Sequence, residues 1–200
     1  MPFGLPNVSY LGFPAPALAA AHAGLGFREA KPTDLPAILA HFSRLTPECR
    51  RRRFCATLSP EALEAHAAGL WDRSALALAA IDGPLWGGVF HRIGEIRAMA
   101  ELSLGGRDAE IGLSVDDSQR RRGIGTYLVQ TAAWLLAPRG VDRITAYTTA
   151  DNIGMIRLAI RLGGRIDRAS SDVEMVFDVA RLRRTYLRRR MADRVFARAG

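Results

Sequence analysis

Residues 109–128 read AEIGLSVDDSQRRRGIGTYL, and this stretch decides the fold. Its first seven residues alternate between apolar side chains and polar or small ones, which is typical of a strand with one buried face. From Leu128 onward apolar residues recur at the spacing of a helix. The sequence therefore predicts a strand that runs through a glycine-containing loop directly into a helix.

The loop between this strand and this helix has the chemistry of an anion site. The first N–H groups of a helix have no acceptor within the helix, and the positive end of the helix dipole adds to their attraction for negative charge. Phosphate is the natural ligand of such a site. Gly123 and Gly125 have no Cβ, and we expect both to let a ligand approach the backbone closely. The pattern is neither the dinucleotide-binding G-x-G-x-x-G nor the P-loop G-x-x-x-x-G-K-S/T.

Two segments together resemble the GNAT N-acetyltransferase superfamily. Residues 120–125, RRRGIG, are similar to its pyrophosphate loop, whose pattern is Gln/Arg-x-x-Gly-x-Gly/Ala. Residues 152–164, NIGMIRLAIRLGG, resemble a later helix of the same family, and the spacing between the two segments also suits it. Both motifs look closest to the GNAT domains of bacterial protein-lysine acetyltransferases. The resemblance covers about residues 27–179.

The resemblance implies a single GNAT-like domain of the α/β (α+β) class. Its central sheet would be twisted and mostly antiparallel, would splay after the central strand, and would be flanked by helices. We assign residues 25–179 to this domain, 1–24 to an irregular N-terminal arm and 180–200 to a basic C-terminal helix. The arm carries four prolines and no Asp, Glu, Lys or Arg, whereas the tail carries eight arginines.

The rest of the chain shows strand and helix patterns typical of a mixed α/β or α+β domain. Thr33 or Asp34 can cap a first helix, and Ser59, followed by a proline, starts a second one. Asp82 and Gly83 predict a hairpin turn. The predicted strands are residues 25–30, 75–81, 85–93, 98–104, 109–115, 141–148, 165–166 and 173–179.

The formal net charge is +8, and arginine supplies nearly all of the positive charge because Lys31 is the only lysine. No helix-turn-helix or aromatic-platform pattern accompanies this charge, so the sequence favours a solvated basic surface over nucleic-acid binding. Cys49 and Cys55 lack further ligands nearby, which favours reduced thiols over a metal site. No apolar run reaches the roughly 18–20 residues of a membrane span, and no secretory signal precedes the domain, so we expect a cytoplasmic protein.

Two charged or titratable features after the first helix have competing interpretations. The four consecutive arginines, residues 50–53, favour a solvated loop or helix face. The alternative is that one of them lines the acceptor cleft or meets a coenzyme phosphate. We interpret His66 as structural. The N-terminal arm could pair with a second subunit, and the C-terminal tail could pack on one, which would allow a homodimer.

The chemistry implied by the resemblance is acetyl transfer from acetyl-CoA to a primary amine, on a protein lysine or a small molecule. The amine must lose a proton, since a free lysine has a pKa of about 10.4. Glu110 is our candidate base, because alternation places it on the same strand face as Gly112 and Ser114, and it matches the family's glutamate. Glu101 on the preceding strand is the reserve. The competing interpretation of Glu110 is an ordinary sheet carboxylate paired with an arginine.

The resemblance also assigns contacts with the coenzyme. Main-chain groups of the splaying strand would hold the pantetheine arm, and an N–H near Leu113 or Val115 would hold the acetyl oxygen. Asn152 would contact the coenzyme and also cap the later helix. The predicted coenzyme-binding residues are Leu113, Ser114, Val115, Arg120, Arg121, Arg122, Gly123, Ile124, Gly125, Thr126 and Asn152.

The chain departs from the family at one catalytic position. Many members have a tyrosine seven residues after the asparagine, as general acid, and this chain has Ala159. Ser114, our second candidate catalytic residue, could protonate the departing thiolate, as could Tyr127 or Tyr147, or no acid is needed because a thiol pKa is about 8.5. The departure keeps open a non-catalytic acyl-CoA-binding regulatory module. An arginine-rich nucleic-acid binder is the third alternative.

Overall fold

A seven-stranded sheet forms the centre of the computed structural model, which describes residues 25–73, 76–82, 94–168 and 172–186. The strand order is β1-β2-β3-β4-β5-β7-β6. Every neighbouring pair is antiparallel except β4 and β5, which run parallel. The strands are β1 (Leu25–Glu29), β2 (Leu76–Asp82), β3 (Ile96–Gly105), β4 (Asp108–Val115), β5 (Arg143–Thr149), β6 (Arg165–Asp167) and β7 (Asp172–Asp178).

Local sequence signals set the starts of several helices. The Thr46 side chain accepts the N–H of Cys49 at the start of α2, and Ser59 caps α3 through the N–H of Ala62. The described helices are α1 (Leu35–Arg44), α2 (Pro47–Phe54), α3 (Pro60–Ala68), α4 (Leu70–Arg73), α5 (Ile124–Leu136), α6 (Ile153–Leu162) and α7 (residues 179–186).

Helices cover both faces of the sheet, and each face has its own apolar core. Along β2, Leu76 and Leu78 belong to the core shared with α5 and α6, whereas Ala77 and Ala79 belong to the core shared with α1 and α3. This alternation is the period of two that a strand imposes on its side chains. Burial on both faces explains why β2 reads as a continuous apolar run.

The central strand separates from its parallel neighbour after three residue pairs. β4 and β5 pair only where Asp108–Glu110 meet Arg143–Thr145. Beyond that point β4 continues with β3, and β5 continues with β7 as far as Thr149. The gap that opens between β4 and β5 is the predicted splay, and the predicted fold class is confirmed.

Asp34, one of the two predicted capping residues, is the N-cap residue of α1, but its side chain does not bond to the helix. Asp34 precedes α1, but its carboxylate accepts hydrogen bonds from the Arg28 guanidinium (2.6 and 2.8 Å) and from the N–H of Lys31 (2.7 Å) instead of capping the helix. A charge-assisted bidentate pair is stronger than an ordinary cap, which explains why the Asp34 carboxylate binds Arg28 rather than the N–H groups of α1.

Several predictions fall partly or wholly outside the described residues. They are the arm (1–24), the turn after Asp82 together with strand 85–93, and the tail beyond residue 186. Within the structure, the antiparallel partner of β2 beyond β1 is β3. None of the helices in the described ranges is both long and apolar enough to cross a membrane.

Candidate active site

A cavity of about 60 Å³ lies in the gap between β4 and β5. Helix α2 borders it on one side, and the start of α6 borders it on another. Five predicted coenzyme ligands, Leu113, Ser114, Val115, Arg120 and Asn152, line it together. The fold therefore brings the two sequence motifs to one place.

Two backbone N–H groups of β4 point into this gap. The N–H of Asp116 donates to the carbonyl of Arg97 in β3 at 2.8 Å. Because N–H groups along a strand point alternately to its two neighbours, those of Leu113 and Val115 point away from β3 and toward β5. β5 pairs with β4 only as far as Glu110, so no described strand accepts them. They are hydrogen-bond donors directed at whatever occupies the gap.

Helix α5 begins four residues after Arg120, which lines the cavity, and it has no side-chain cap. Gly123 precedes it in the left-handed conformation (φ +80°), which favours glycine. The N–H groups of Ile124, Gly125 and Thr126 form the first turn, where a helix has no internal acceptors. A Cβ at Gly123 would meet nothing within 4 Å, so a ligand has room to approach there. These are the features on which the predicted anion site depends, and the site itself stays a prediction.

Gly125 has a packing role in addition to the predicted one. A Cβ at this position would lie 2.9 Å from Cδ1 of Leu158 in α6. The missing side chain therefore allows α5 and α6 to pack closely, and the approach of a ligand to Gly125 stays a prediction.

The three loop arginines have different environments. Arg120 makes an ion pair with Asp117 (3.0 Å) and donates to Sγ of Cys49 (2.8 Å). Arg122 donates to Oε1 of Gln119 at 2.7 Å. Arg121 is exposed, has φ +60° and forms no ion pair with any residue that the structure describes. Among the three loop arginines, Arg121 is thus the one whose guanidinium has no carboxylate or side-chain amide partner within the described residues.

Glu110 is exposed on β4, four residues before Ser114. A strand rises about 3.3 Å per residue, so the two Cα atoms are about 13 Å apart. Among the described residues no arginine, lysine or histidine forms an ion pair with Glu110, and the interpretation as a paired sheet carboxylate finds no support. Its negative charge is near enough to Tyr147 and Cys55 to contribute, after burial, to the raised pKa of each.

The reserve base, Glu101, is not available for proton transfer. It is buried, and its carboxylate binds Arg53 (2.9 Å) and His66 (2.7 Å). Burial alone would raise the pKa of Glu101, but Arg53 and His66 together lower it to about 2. A carboxylate with so low a pKa is a poor base. The contact of His66 with Glu101 agrees with a structural interpretation of that histidine, which stays a prediction.

The arginine run is helical, and the interpretation as a solvated face is wrong for Arg53. Its side chain is only 13% exposed, binds Glu101 and lines the cavity. Arg51 and Arg52 form ion pairs with Asp151 at the start of α6 (2.7 and 3.0 Å). These ion pairs connect α2 to α6 on the other side of the gap. The alternative, that an arginine of this run lines the cleft, fits the structure better.

His41 was not among the residues predicted from the sequence. This residue is fully buried, with Nε2 2.8 Å from Oγ of Ser114 and Nδ1 2.9 Å from Oδ1 of Asp116. Burial would raise the pKa of Asp116, but His41 and Arg44 lower it. One signal was present, since His41 lies three residues after Ile38 and so falls on the buried face of α1.

The other candidate proton donors differ in access. Tyr127 is buried with its ring centroid 4.3 Å from that of Phe27 and does not line the cavity. Tyr147 does line it, and its hydroxyl donates to Oε1 of Glu174 at 3.1 Å. Burial and Glu174 raise the pKa of Tyr147. Ala159 is fully buried in the core, so α6 presents no hydroxyl at that position.

Asn152 has the capping role that the sequence predicts. Its Oδ1 accepts the N–H of Met155 (3.2 Å), and its Nδ2 donates to Oγ1 of Thr148 at the end of β5 (2.8 Å). These bonds fix the start of α6 at the rim of the cavity.

Solved structures with the same fold include three N-acetyltransferases or their domains. The GNAT domain of PAT from S. lividans superposes with a TM-score of 0.61 at 22% identity, covering 77% of this chain and 90% of that one. The PaiA N-acetyltransferase of Thermoplasma acidophilum, in complex with coenzyme A, gives 0.56 at 16% identity and covers 77% and 98%. The ribosomal-protein-S18-alanine N-acetyltransferase of Escherichia coli gives 0.54 at 20% identity and covers 78% and 94%. These likenesses concern the fold.

Sequence comparison gives the family. A search of curated proteins found no match. Residues 46–163, more than half of the chain, match the model of the acetyltransferase (GNAT) family. This range contains the first motif, residues 152–163 of the second, the whole of β4 and the start of α5. The chain therefore belongs to the GNAT acetyltransferase family.

Proposed function

We propose that the protein transfers an acetyl group from acetyl-CoA to a primary amine, on a protein lysine or a small molecule. The observation that carries this proposal is the pair of N–H groups, of Leu113 and Val115, directed into the gap between β4 and β5. A thioester carbonyl becomes negatively charged as an amine attacks it, and preorganised N–H donors stabilise that charge. The uncapped start of α5 lies beside the gap.

The coenzyme contacts follow from this arrangement. The diphosphate would bind the N–H groups at the start of α5, with the loop arginines adding charge. Arg121 is the best placed of these for a phosphate, because no described carboxylate competes for its guanidinium. The pantetheine arm would extend along β4, whose free N–H groups resemble the edge of a sheet. The PaiA enzyme, which has the same fold, was solved in complex with coenzyme A. That complex supports the proposal that this protein binds a coenzyme A thioester.

Glu110 would be the general base. The amine nitrogen attacks the carbonyl carbon, the C–S bond breaks, and Glu110 accepts the amine proton through a chain of waters, because its Cα lies about 10 Å along the strand from that of Leu113. Its exposed carboxylate lacks a competing ion pair within the described chain. The thiolate leaves without an obligatory acid, since a thiol pKa is about 8.5. Ser114 stays our candidate for a donor to that thiolate, although its hydroxyl already contacts His41.

A calorimetric titration tests the coenzyme part of the proposal. The protein is titrated with acetyl-CoA and, separately, with coenzyme A that lacks the 3′-phosphate. We expect binding in the micromolar range, followed by release of free thiol when a panel of amines and lysine peptides is added. Absence of binding by a folded sample would refute the proposal.

The buried Ala159 favours one second candidate, a non-catalytic acyl-CoA-binding module. Such a module would bind acetyl-CoA as tightly as the enzyme but would release no thiol with any amine. The substitution of Glu110 described in the Discussion separates the two.

A further inference from the structure

We infer that a second cavity, between α1, α2 and α3, binds the zwitterion of an apolar α-amino acid. This outer cavity has a volume of about 160 Å³, and the residues that line it include Leu39, Arg50, Leu58, Leu63 and Glu64. Among the residues that the structure describes, it shares none of its lining with the cavity between β4 and β5. The inference therefore goes beyond the proposed function and does not depend on it.

Three leucines supply the apolar part of the outer cavity. Leu63 is buried, and Leu39 and Leu58 are half-buried against the core that α1 and α3 share with the sheet. A cavity of roughly 150 Å³ with apolar walls is large enough to bind benzene. The outer cavity, at about 160 Å³, therefore has room for an apolar group of about six heavy atoms. The side chains of leucine, isoleucine, methionine and phenylalanine are near this size.

Arg50 is the cation of the outer cavity, and it differs from the other three arginines of α2. Each of those three forms an ion pair with an aspartate or a glutamate. Arg50 forms none with any carboxylate in the described part of the chain, and it donates only to the carbonyls of Phe42 and Ser43, both at 3.5 Å. Hydrogen bonds of that length are weak. The half-buried guanidinium thus keeps the fork of N–H donors that suits a carboxylate.

Glu64 is the anion of the outer cavity, and it does not pair with Arg50. It lines the same cavity from α3, and within the described ranges its carboxylate forms no ion pair. A ligand with only a carboxylate would be repelled by Glu64, and a ligand with only an ammonium group would be repelled by Arg50. A ligand that carries both charges matches both side chains.

An α-amino acid brings the three required groups together on one carbon atom. Its carboxylate accepts hydrogen bonds from the Arg50 guanidinium, and its ammonium group donates to the Glu64 carboxylate. Its side chain then contacts the three leucines and leaves water. Each part of the cavity has a counterpart in this ligand, which is why the zwitterion fits better than a simple acid or amine.

Helix α2 contributes to both cavities, but with different residues. Arg50 lines the outer cavity, whereas Cys49 and Arg53 line the gap between β4 and β5. The ammonium group of the bound amino acid contacts Glu64 and is kept from the gap where a thioester would lie. The amino acid is therefore a ligand of the outer cavity and not the acceptor of an acetyl group there.

The test is a calorimetric titration of the full chain with L-leucine, without acetyl-CoA. We expect saturable binding with a Kd below about 1 mM, a modest affinity for so small a ligand. Two analogues keep the apolar group and each lose one charge. They are 4-methylpentanoate, which lacks the ammonium group, and 3-methylbutylamine, which lacks the carboxylate. Each should bind about 10–100-fold more weakly, the range for loss of a hydrogen-bonded charge.

Substitutions assign each charge of the ligand to its partner. Arg50→Met keeps the unbranched stem and should weaken leucine binding about 10–100-fold. In this variant leucine and 3-methylbutylamine should bind about equally, because the carboxylate has lost its partner. Glu64→Gln should make leucine and 4-methylpentanoate equal in the same way. Neither charge has a described ion-pair partner, so both variants should unfold at the wild-type temperature and bind acetyl-CoA as wild type does. Arg107→Ala, which removes an exposed arginine elsewhere, is the control and should bind leucine normally.

Three results would overturn the inference. They are the absence of leucine binding by folded wild-type protein at 10-fold above the expected limit, equal leucine affinity in Arg50→Met and wild type, and equal affinity of wild type for leucine and 4-methylpentanoate. Formation of N-acetylleucine that Arg50→Met abolishes would also overturn it, since the amino acid would then lie in the active site. Leucine binding by a protein that does not bind acetyl-CoA would support the outer cavity and refute the proposed function.

Discussion

The guanidinium of Arg53 occupies the space that a side chain on Gly112 would fill. A Cβ at position 112 would overlap three guanidinium atoms, so the glycine lets Arg53 cross β4 and reach Glu101, 2.9 Å away. Helix α2 and strand β3 are therefore joined through an ion pair that depends on the absence of a side chain at Gly112 in β4.

Gly112→Ala should destabilise the protein by separating Arg53 from Glu101. A buried carboxylate that loses its partner costs about 3–5 kcal/mol when nothing relaxes, and some relaxation of Arg53 would bring the loss to about 2 kcal/mol. Urea unfolding measures it. Gly154→Ala is the control, because a Cβ there would be in ordinary contact, 3.6 Å from Oδ1 of Asn152. Equal stability of the two variants would contradict the prediction.

Stability should depend on the ionisation of Glu101 at acid pH. Its pKa is about 2 in the folded protein, against an ordinary value of 4.5, since Arg53 and His66 outweigh burial. Because the pKa is lower in the folded protein than in the unfolded chain, ionised Glu101 stabilises the fold. This stabilisation is complete above pH 4.5 and is lost as the pH falls toward 2. The shift corresponds to about 3 kcal/mol.

Free energies of unfolding measured between pH 2 and 6 check this dependence. Other acids with a lowered pKa, including Asp34 and Asp116, add to the wild-type slope. Glu101→Gln should be less stable at pH 6 and should show a shallower profile than wild type. Glu64→Gln, at an exposed position on α3, should keep the wild-type profile. A Glu101→Gln profile parallel to that of wild type would rule out the proposed linkage.

Local patterns were enough to predict the scaffold of the site. Strand β4, the loop after it and the start of α5 follow one another without a gap, so alternation, glycines and helical spacing determine them together. Asn152 could be placed because a cap acts on the residues that follow it. The family resemblance then supplied the splay, which no local pattern encodes.

The side-chain contacts could not be predicted, because they join distant parts of the chain. His41 reads as one more residue on the buried face of α1, and only the fold places it against Ser114. Glu101 and Arg53 are 48 residues apart, and the sequence does not show that each neutralises the other. Gly125 had a plausible local role at a phosphate, and its packing against Leu158 appears only in three dimensions.

Arg121→Ala should weaken the binding of acetyl-CoA without destabilising the protein. Arg121 is exposed and forms no ion pair with a described residue, so its removal breaks no internal contact. Loss of a charged contact to a phosphate should raise the Kd about tenfold, or ~1.4 kcal/mol. The salt dependence of binding should fall in parallel. Calorimetric titration at two salt concentrations measures both.

The matched control for this charge is Arg107→Ala. Arg107 is exposed in the turn between β3 and β4, at the end of β4 opposite the phosphate loop, and it pairs with Asp142. The two variants have the same net charge, so a general electrostatic effect would weaken binding equally in both. An equal loss of affinity would therefore contradict a specific contact by Arg121.

Glu110→Gln should separate catalysis from binding. The amide cannot accept the amine proton, so acetyl transfer should slow by about 10²–10⁴-fold, while the Kd for acetyl-CoA changes little because Glu110 does not line the cavity. The loss should shrink at high pH, where more of the acceptor amine is already unprotonated. Steady-state kinetics at pH 7 and 9, with calorimetry of the same preparations, measures these effects, and Glu64→Gln again serves as control. An unchanged rate in Glu110→Gln would remove Glu110 from the mechanism. A protein that binds acetyl-CoA but has no measurable rate before substitution would be the non-catalytic module.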